Sequence, residues 1–212
     1  MDMGKNPNGR ALRKNIKTIE DELRIAAKIL DWEIGDLWGH VGARLPGDRG
    51  IAVKMFRRPE QGNKDWLVHF DFSLKKLSGV GTIPREAVIY TEVFKARPDV
   101  NAAVHCHAAM CVALSLADKP INWIHMQSSR FSGGTPIFPR PIYILDNEEG
   151  AALAKSLGDA AAVMIKGHGI VTVGKASMKL ASTRFTWSGP QKSWPSPVCM
   201  ATRARHPTRS KH

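Results

Sequence analysis

Strand-length apolar stretches alternate irregularly with helix-length segments along this chain, and this pattern constrains its fold most. The stretches are rich in β-branched and aromatic residues, and turn clusters such as PGD, PEQGN and Gly167-His168-Gly169 separate them. The predicted strands are residues 40–45, 51–56, 66–72, 100–107, 161–166 and 170–173. Because several strands follow one another across a turn, the pattern predicts a mixed α/β layer structure with antiparallel pairing.

Four segments carry the signals of helices. Thr18 suits an N-cap, and apolar residues then repeat at helical spacing. Pro84 suits a first helical position, and the segment that it starts ends before the next proline. Residues 108–117 form the third predicted helix. Asn147 is predicted to cap the fourth helix, which runs to Leu157.

The length of 212 residues suits one well-filled core. We predict a flexible, basic leader at 1–16, a patterned domain at 17–175 and a disordered basic tail at 176–212. The tail carries seven Lys or Arg and no acidic residue, so it accounts for most of the net charge of +12. The rest of the chain has 24 basic and 19 acidic residues, a net charge of +5, and we expect no specific nucleic-acid partner.

The apolar segments and the cysteines indicate in which compartment of the cell the protein is expected. No apolar run approaches the ~20 residues that cross a bilayer, and the N-terminus lacks the apolar core of a secretory signal. We therefore expect no membrane partner. Three cysteines without CxxC spacing fit a reducing compartment, and we expect a cytoplasmic protein.

The pattern His105-Cys106-His107 ends a predicted strand. Residues i and i+2 of a strand share a side, so the two histidines present their rings on one face and Cys106 points into the core. His168 lies between two glycines, which let the backbone turn sharply and approach a site. Three histidines with a water or a carboxylate form an open divalent-metal site. Taken alone, His105 and His107 also fit a pair of half-buried surface residues, and His168 also fits a plain turn.

Glu86 is the candidate carboxylate for this site. We predict it in the first turn of the helix that begins at Pro84, where the helix dipole favours a carboxylate even without another role. Beside a metal ion, the same carboxylate can coordinate the ion or move a proton. Tyr90, one helical turn later, is predicted to pack in the core.

Several segments together resemble the class II aldolase/adducin family. They are IPREAVIYTEVFKARPDVNAAVHCHAAMCVALS, IKGHGIVTVG and GHVGAR at 39–44, and the resemblance covers residues 18–175. Glu86 precedes His105 by nineteen residues and His168 follows His107 by sixty-one, as in the pattern of that family.

The resemblance implies a fold, a cofactor and an assembly. The fold is a three-layer α/β/α sandwich around a mostly antiparallel sheet. The cofactor is a zinc or manganese ion held by His105, His107 and His168, with Glu86 as the acid/base or an exchangeable ligand. The assembly is a homotetramer, provided that the tail permits it, because the family continues at this point with a long interface helix.

Departures from the family pattern bear on the substrate. Sugar-phosphate enzymes of the family bind phosphate with small hydroxyl and amide residues. Here His40 and Gly42 replace an asparagine and a serine, and Pro84-Arg85 replaces a pair of serines. Arg85 and His40 instead suit a carboxylate, which arginine binds through a bidentate fork. With Gly39, they are the predicted substrate-binding residues.

The sequence thus predicts a divalent-metal-dependent carbon–carbon lyase with a small-molecule carboxylate substrate. We expect it to decarboxylate a hydroxylated aromatic or heteroaromatic dicarboxylate through a metal-stabilised enolate-like intermediate. Two alternatives remain open. One is a class II aldolase that cleaves a hydroxy-carbonyl, sugar-type substrate, and the other is a non-catalytic adducin-like or truncated, inactive homologue.

Overall fold

The computed structural model describes residues 7–56, 65–122 and 126–175, and the predicted disordered tail lies outside them. The strands of the described part are β1 (His40–Arg44), β2 (Ile51–Met55), β3 (Leu67–Phe70), β4 (Lys76–Gly79), β5 (Ala102–Cys106), β6 (Ile137–Phe138), β7 (Ala162–Ile165) and β8 (Gly169–Gly174). They form one sheet in the order β4-β3-β2-β1-β5-β8-β7-β6. Every neighbouring pair is antiparallel except β6 and β7, so the predicted mostly antiparallel sheet is confirmed.

Two layers of helices enclose this sheet. The helices of the described residues are α1 (Pro7–Ile34), α2 (Val88–Ala96), α3 (Ala109–Leu116) and α4 (Asn147–Leu157). Helices α1 and α3 pack on one face, in a core that includes Leu23 and Val104. Helices α2 and α4 pack on the other face, in a core that includes Phe94 and Ala103. Neighbouring residues of β5 point to opposite cores, and the predicted three-layer α/β/α sandwich is confirmed.

Helix α1 begins earlier than the sequence predicts. It starts at Pro7, whereas the capping signal at Thr18 predicts a start eleven residues later. The added turns are rich in Ala, Leu, Arg and Lys, which favour helix without needing an apolar stripe. Ile16 packs against the core of the domain. The predicted leader at 1–16 therefore overlaps α1 from Pro7 onward, and residues 1–6 lie outside the described residues.

Three smaller features also differ from the prediction. Asp146, not Asn147, caps α4, because its side chain accepts a hydrogen bond from the backbone N–H of Glu149 at 2.8 Å. Strand β4 was not predicted, since it is an exposed edge strand without an apolar alternation. Helix α2 starts at Val88 and not at Pro84, because residues 84–87 form a separate turn that is closed by Ala87 N–H and the Pro84 carbonyl.

Among the described residues, no helix combines the length and the apolar character that crossing a bilayer requires.

Candidate metal centre

The pairing of β1, β5 and β8 gathers the predicted histidines at one end of the sheet. His105 of β5 lies opposite His40 of β1 and Val171 of β8. His107 follows the end of β5, and His168 lies in the turn of the β7–β8 hairpin at the same end. The rings of His105, His107 and His168 have centroids 4.8–5.0 Å apart. The structure therefore brings together the three histidines that the sequence predicts as ligands.

Two glycines make the His168 turn possible. Gly167 has φ +66°, a left-handed conformation that glycine adopts without strain. A Cβ atom at Gly169 would lie 2.5 Å from the carbonyl oxygen of Cys106, so a side chain does not fit there. The tight hairpin then holds His168 against the end of β5. The predicted role of this glycine pair, a sharp turn with a close backbone approach, is confirmed.

Each of the three rings uses its Nδ1 to donate a hydrogen bond. His105 Nδ1 lies 3.2 Å from the carbonyl oxygen of Ile170, and His168 Nδ1 lies 2.9 Å from that of Ile142. A carbonyl oxygen only accepts, so both Nδ1 atoms carry hydrogen. His107 Nδ1 lies 2.9 Å from Asp36 Oδ2, an ionised carboxylate oxygen. In the neutral rings the lone pairs are therefore on Nε2.

The three Nε2 atoms and a carboxylate oxygen of Glu86 converge. All four ligand atoms lie within 4.8 Å of one another. His107 Nε2 and His168 Nε2 are 3.1 Å apart, and His105 Nε2 is buried without a hydrogen-bond partner. Nitrogens bound to one tetrahedral zinc ion lie about 3.3 Å apart. Because close, unshared lone pairs repel one another and attract a cation, the donor set fits a divalent metal ion.

Glu86 reaches this cluster from the turn before α2. One carboxylate oxygen, Oε1, accepts the backbone N–H of Ile144 at 2.9 Å. The other, Oε2, lies 3.4 Å from His105 Nε2 and 3.5 Å from His168 Nε2. Burial disfavours the charged form, but hydrogen bonds from His105 and His168, which these rings donate when Nε2 is protonated, and the Ile144 N–H hold the pKa of Glu86 well below its ordinary value. An ionised, nearly buried carboxylate therefore faces the three ring nitrogens.

Asp36 belongs to the candidate site, although its sequence context gives no sign of this. Its Oδ2 accepts both the backbone N–H of His107 at 2.7 Å and the ring Nδ1–H, while Oδ1 accepts the N–H of Trp38 at 2.9 Å. Burial opposes its ionisation, but these donors outweigh burial and lower the pKa of Asp36 to about 2. A carboxylate on the far nitrogen of a ligand histidine fixes the ring and increases its basicity. In the sequence, Gly35-Asp36 indicates only the end of a helix.

We expect Asp36→Asn to weaken metal binding about 10- to 100-fold, because the His107 ring loses a charged acceptor. The affinity is measured by competition between the full-length protein and a chelating dye for Zn²⁺. Asp48→Asn is a matched control, since the Asp48 carboxylate is exposed and pairs with Arg44. An Asp36→Asn affinity equal to that of Asp48→Asn would contradict the positioning role of Asp36.

Of the three predicted substrate-binding residues, His40 and Arg85 line the cavity beside this cluster, whereas Gly39 is not among its lining residues. His40, Arg85, Glu86, His107 and His168 line one cavity of about 580 Å³. The ring of His40 is almost fully buried, and burial, followed by the neighbouring imidazole of His105, lowers its pKa to about 3.

Gly39, directly before His40, and Gly42, two residues after it, have packing roles. A Cβ atom at Gly39 would lie 2.4 Å from the ring of Phe56, and one at Gly42 would lie 2.5 Å from the ring of Tyr90. Tyr90 is fully buried, as predicted, and its hydroxyl also bonds to His40. Cys106 is in the core on the face opposite to the cluster, as predicted.

The chain is similar to curated proteins of two kinds, a decarboxylase and an aldolase. The chain is 28% identical over 149 residues to "3,4-dihydroxyphthalate decarboxylase" of Arthrobacter keyseri, a match that covers 63% of this chain and 59% of the relative. It is 31% identical over 88 residues to "L-fuculose phosphate aldolase" of Haemophilus influenzae, which covers 41% of this chain and 40% of the relative. The chain thus spans about three fifths of the decarboxylase.

Solved structures show the same fold. The structure of "L-fuculose 1-phosphate aldolase from Glaciozyma antarctica PI12" superposes with a TM-score of 0.68 at 20% sequence identity, and covers 95% of this chain and 85% of that one. The model of the "Class II Aldolase and Adducin N-terminal domain" family matches residues 31–186, which include all four members of the His/Glu cluster. On this match, the chain belongs to the class II aldolase and adducin family.

Proposed function

We propose that this protein is a divalent-metal-dependent lyase that decarboxylates a hydroxylated aromatic or heteroaromatic dicarboxylate. The observation that carries the proposal is the position of Arg85 on the wall of the cavity that holds the His/Glu cluster. Among the described residues that line this cavity, Arg85 is the only lysine or arginine. Arg85 is exposed, and its guanidinium suits the substrate carboxylate that is not released as carbon dioxide.

The shape and lining of the cavity support an aromatic substrate. A volume of about 580 Å³ is within the range of pockets that hold small organic ligands. Trp38 and Tyr143 lie on its wall, and Tyr143 packs edge-on against the ring of His168, with centroids 5.3 Å apart. Aromatic side chains bind a flat ring through offset or edge contacts.

The same cavity offers little for a sugar phosphate. The family pattern has a serine at the position of Gly42. Any side chain at this position would clash with the ring of Tyr90. His40 is buried and neutral, and Pro84 has no hydroxyl and no backbone N–H. Small hydroxyls and free amides, which bind phosphate, are therefore replaced by rings and by one guanidinium. This replacement favours the decarboxylase over the aldolase.

The chemistry divides among the residues of the site. Loss of carbon dioxide breaks the bond between a ring carbon and a carboxylate carbon, and leaves an electron pair on the ring that takes up one proton. Zinc or manganese, held by His105, His107 and His168, would supply Lewis acidity toward a substrate oxygen. Glu86, ionised and in reach of the cluster, would accept a hydroxyl proton and return it to carbon. Arg85 would orient the remaining carboxylate.

The test is an assay for carbon dioxide release by the full-length protein, supplemented with Zn²⁺ or Mn²⁺. We expect release from hydroxylated aromatic dicarboxylates and no cleavage of sugar phosphates run in parallel. Sugar-phosphate cleavage without carbon dioxide release would support the aldolase instead. The absence of both reactions would support the inactive homologue.

Arg85→Gln should raise the KM for the dicarboxylate roughly 10- to 100-fold, because charge-assisted hydrogen bonds to one carboxylate are lost. We expect a smaller change in kcat, since Arg85 is assigned to the carboxylate that is retained. Arg140→Gln is the control, because Arg140 is exposed, stacks on Phe138 and lies outside the cavity lining. Equal KM values for the two variants would contradict the role of Arg85.

We further propose that the protein forms a homo-oligomer through the mouth of this cavity. Trp38, Tyr143 and Leu145 line the cavity and are 44–63% exposed, which leaves an apolar rim for a second copy to cover. Size-exclusion chromatography with light scattering should show a homo-oligomer. The family resemblance implies a tetramer, provided that the tail permits it. A monomer at micromolar concentration would contradict this assembly.

A further inference from the structure

His40 and Tyr90 exchange two hydrogen bonds beside the cluster. His40 Nδ1 lies 2.7 Å from the Tyr90 hydroxyl, and the same hydroxyl donates to the backbone carbonyl of His40 at 2.8 Å. Both side chains are buried, and the Tyr90 ring is seated directly against Gly42, where no side chain intervenes. The pair is therefore held in one geometry by its two hydrogen bonds and by the packing of Tyr90.

This geometry fixes the tautomer of His40. A tyrosine hydroxyl has one hydrogen, and here that hydrogen is committed to a carbonyl oxygen, which only accepts. The arrangement that satisfies both contacts makes the hydroxyl oxygen an acceptor toward His40, with the hydrogen on Nδ1 of the ring. The remaining nitrogen, Nε2, then has a lone pair and no hydrogen. Because Tyr90 occupies Nδ1 and His40 lines the cavity, Nε2 is the nitrogen left for a ligand.

The rings of His40 and His105 lie side by side, with centroids 5.3 Å apart. His40 also lines the same cavity as Glu86, His107 and His168, so a substrate in this cavity can meet both the cluster and His40. A lone pair on Nε2 accepts from a hydroxyl and repels a carboxylate, a methyl ether oxygen or a carbonyl. This contact differs from the carboxylate contact that the sequence predicts for His40.

We propose that His40 is a specificity-determining residue that accepts a hydrogen bond from a substrate hydroxyl, and that it selects aromatic acids with two adjacent hydroxyl groups. The inference rests on the proposed function, because it places a hydroxylated aromatic acid in the cavity. Tyr90 is a positioning residue in this account, since it acts only through the tautomer of His40.

Two measurements test the assignment on the full-length, Zn²⁺-supplemented protein. In the first, ¹⁵N NMR of histidine-labelled protein should show the His40 ring as a single tautomer with hydrogen on Nδ1. Tyr90→Phe should remove this preference, and Thr91→Val, which deletes a buried hydroxyl of the same helix that bonds to Val88 and Glu92, should leave it unchanged. In the second, calorimetry compares the binding of 3,4-dihydroxybenzoate with that of 3-fluoro-4-hydroxybenzoate, where fluorine replaces one donor at nearly the same size.

We expect wild type to prefer the dihydroxy probe roughly three- to tenfold, the effect of one hydrogen bond, and Tyr90→Phe to lose most of this preference. Equal affinities of wild type for the two probes, or a His40 ring with hydrogen on Nε2, would overturn the assignment. Carbon dioxide release combined with equal probe affinities would overturn the role of His40 alone. A clear preference without carbon dioxide release would support His40 and contradict the decarboxylase.

Discussion

Replacing His107 with alanine should lower the affinity for the divalent ion by at least ~100-fold, so that the purified variant retains little metal. The side chain contributes one of three convergent Nε2 atoms, and Asp36 orients it. The His107 side chain is 26% exposed, so its removal creates little buried void, and the fold should persist. Metal is measured by elemental analysis of the dialysed, full-length protein, and folding by circular dichroism.

His69→Ala is the matched control for this variant. His69 is also a partly buried histidine with two polar partners, Ser78 and Glu20, but it lies on β3 away from the cluster. The His69→Ala variant should retain the wild-type metal content. Full retention of metal by His107→Ala, or an equal loss in both variants, would contradict the ligand assignment.

Glu86→Gln should lower kcat for carbon dioxide release by roughly 10²- to 10⁴-fold, the usual contribution of a proton-transferring group. The amide is nearly the same size, and its oxygen can still accept the N–H of Ile144 that Glu86 now binds. The loss therefore comes from the missing charge and basicity rather than from a displaced backbone. Steady-state kinetics at saturating metal would give kcat, and thermal unfolding would confirm that the variant folds.

Glu92→Gln provides the comparison for that substitution. Glu92 is a mostly buried carboxylate of α2 that pairs with Lys95, outside the cavity lining. We expect the kcat of Glu92→Gln to stay within about threefold of the wild-type value, because the substitution lies away from the reacting groups. A Glu86→Gln variant that kept the wild-type kcat would show that another group moves the proton.

The convergence of the three candidate ligand histidines was predictable because local rules determine it. The spacing of His105 and His107 reflects the two-residue period of a strand, and the glycines around His168 reflect a tight turn. Glu86 was predicted at the right position but in the wrong local structure. It belongs to the turn before α2, and the turn is what aims its carboxylate at the cluster.

The remaining contacts depend on packing between distant parts of the chain. Asp36 meets His107 across 71 residues, and Tyr90 meets His40 across 50. Neither pair follows from periodicity or from spacing, because each depends on how the sheet and its covering helices come together. The carboxylate role predicted for His40 was inferred from its residue type, whereas its tautomer depends on the buried hydroxyl of Tyr90.

X-ray absorption spectroscopy of the Zn²⁺-loaded, full-length protein would identify the ligand atoms of the metal centre. We expect one ion per chain with three imidazole nitrogens at about 2.0–2.1 Å and oxygen in the remaining position. The imidazole signal should weaken in His107→Ala if that variant is loaded at high Zn²⁺ concentration. Ligation by cysteine sulfur, or a shell of oxygen alone without imidazole, would contradict the metal centre proposed at His105, His107 and His168.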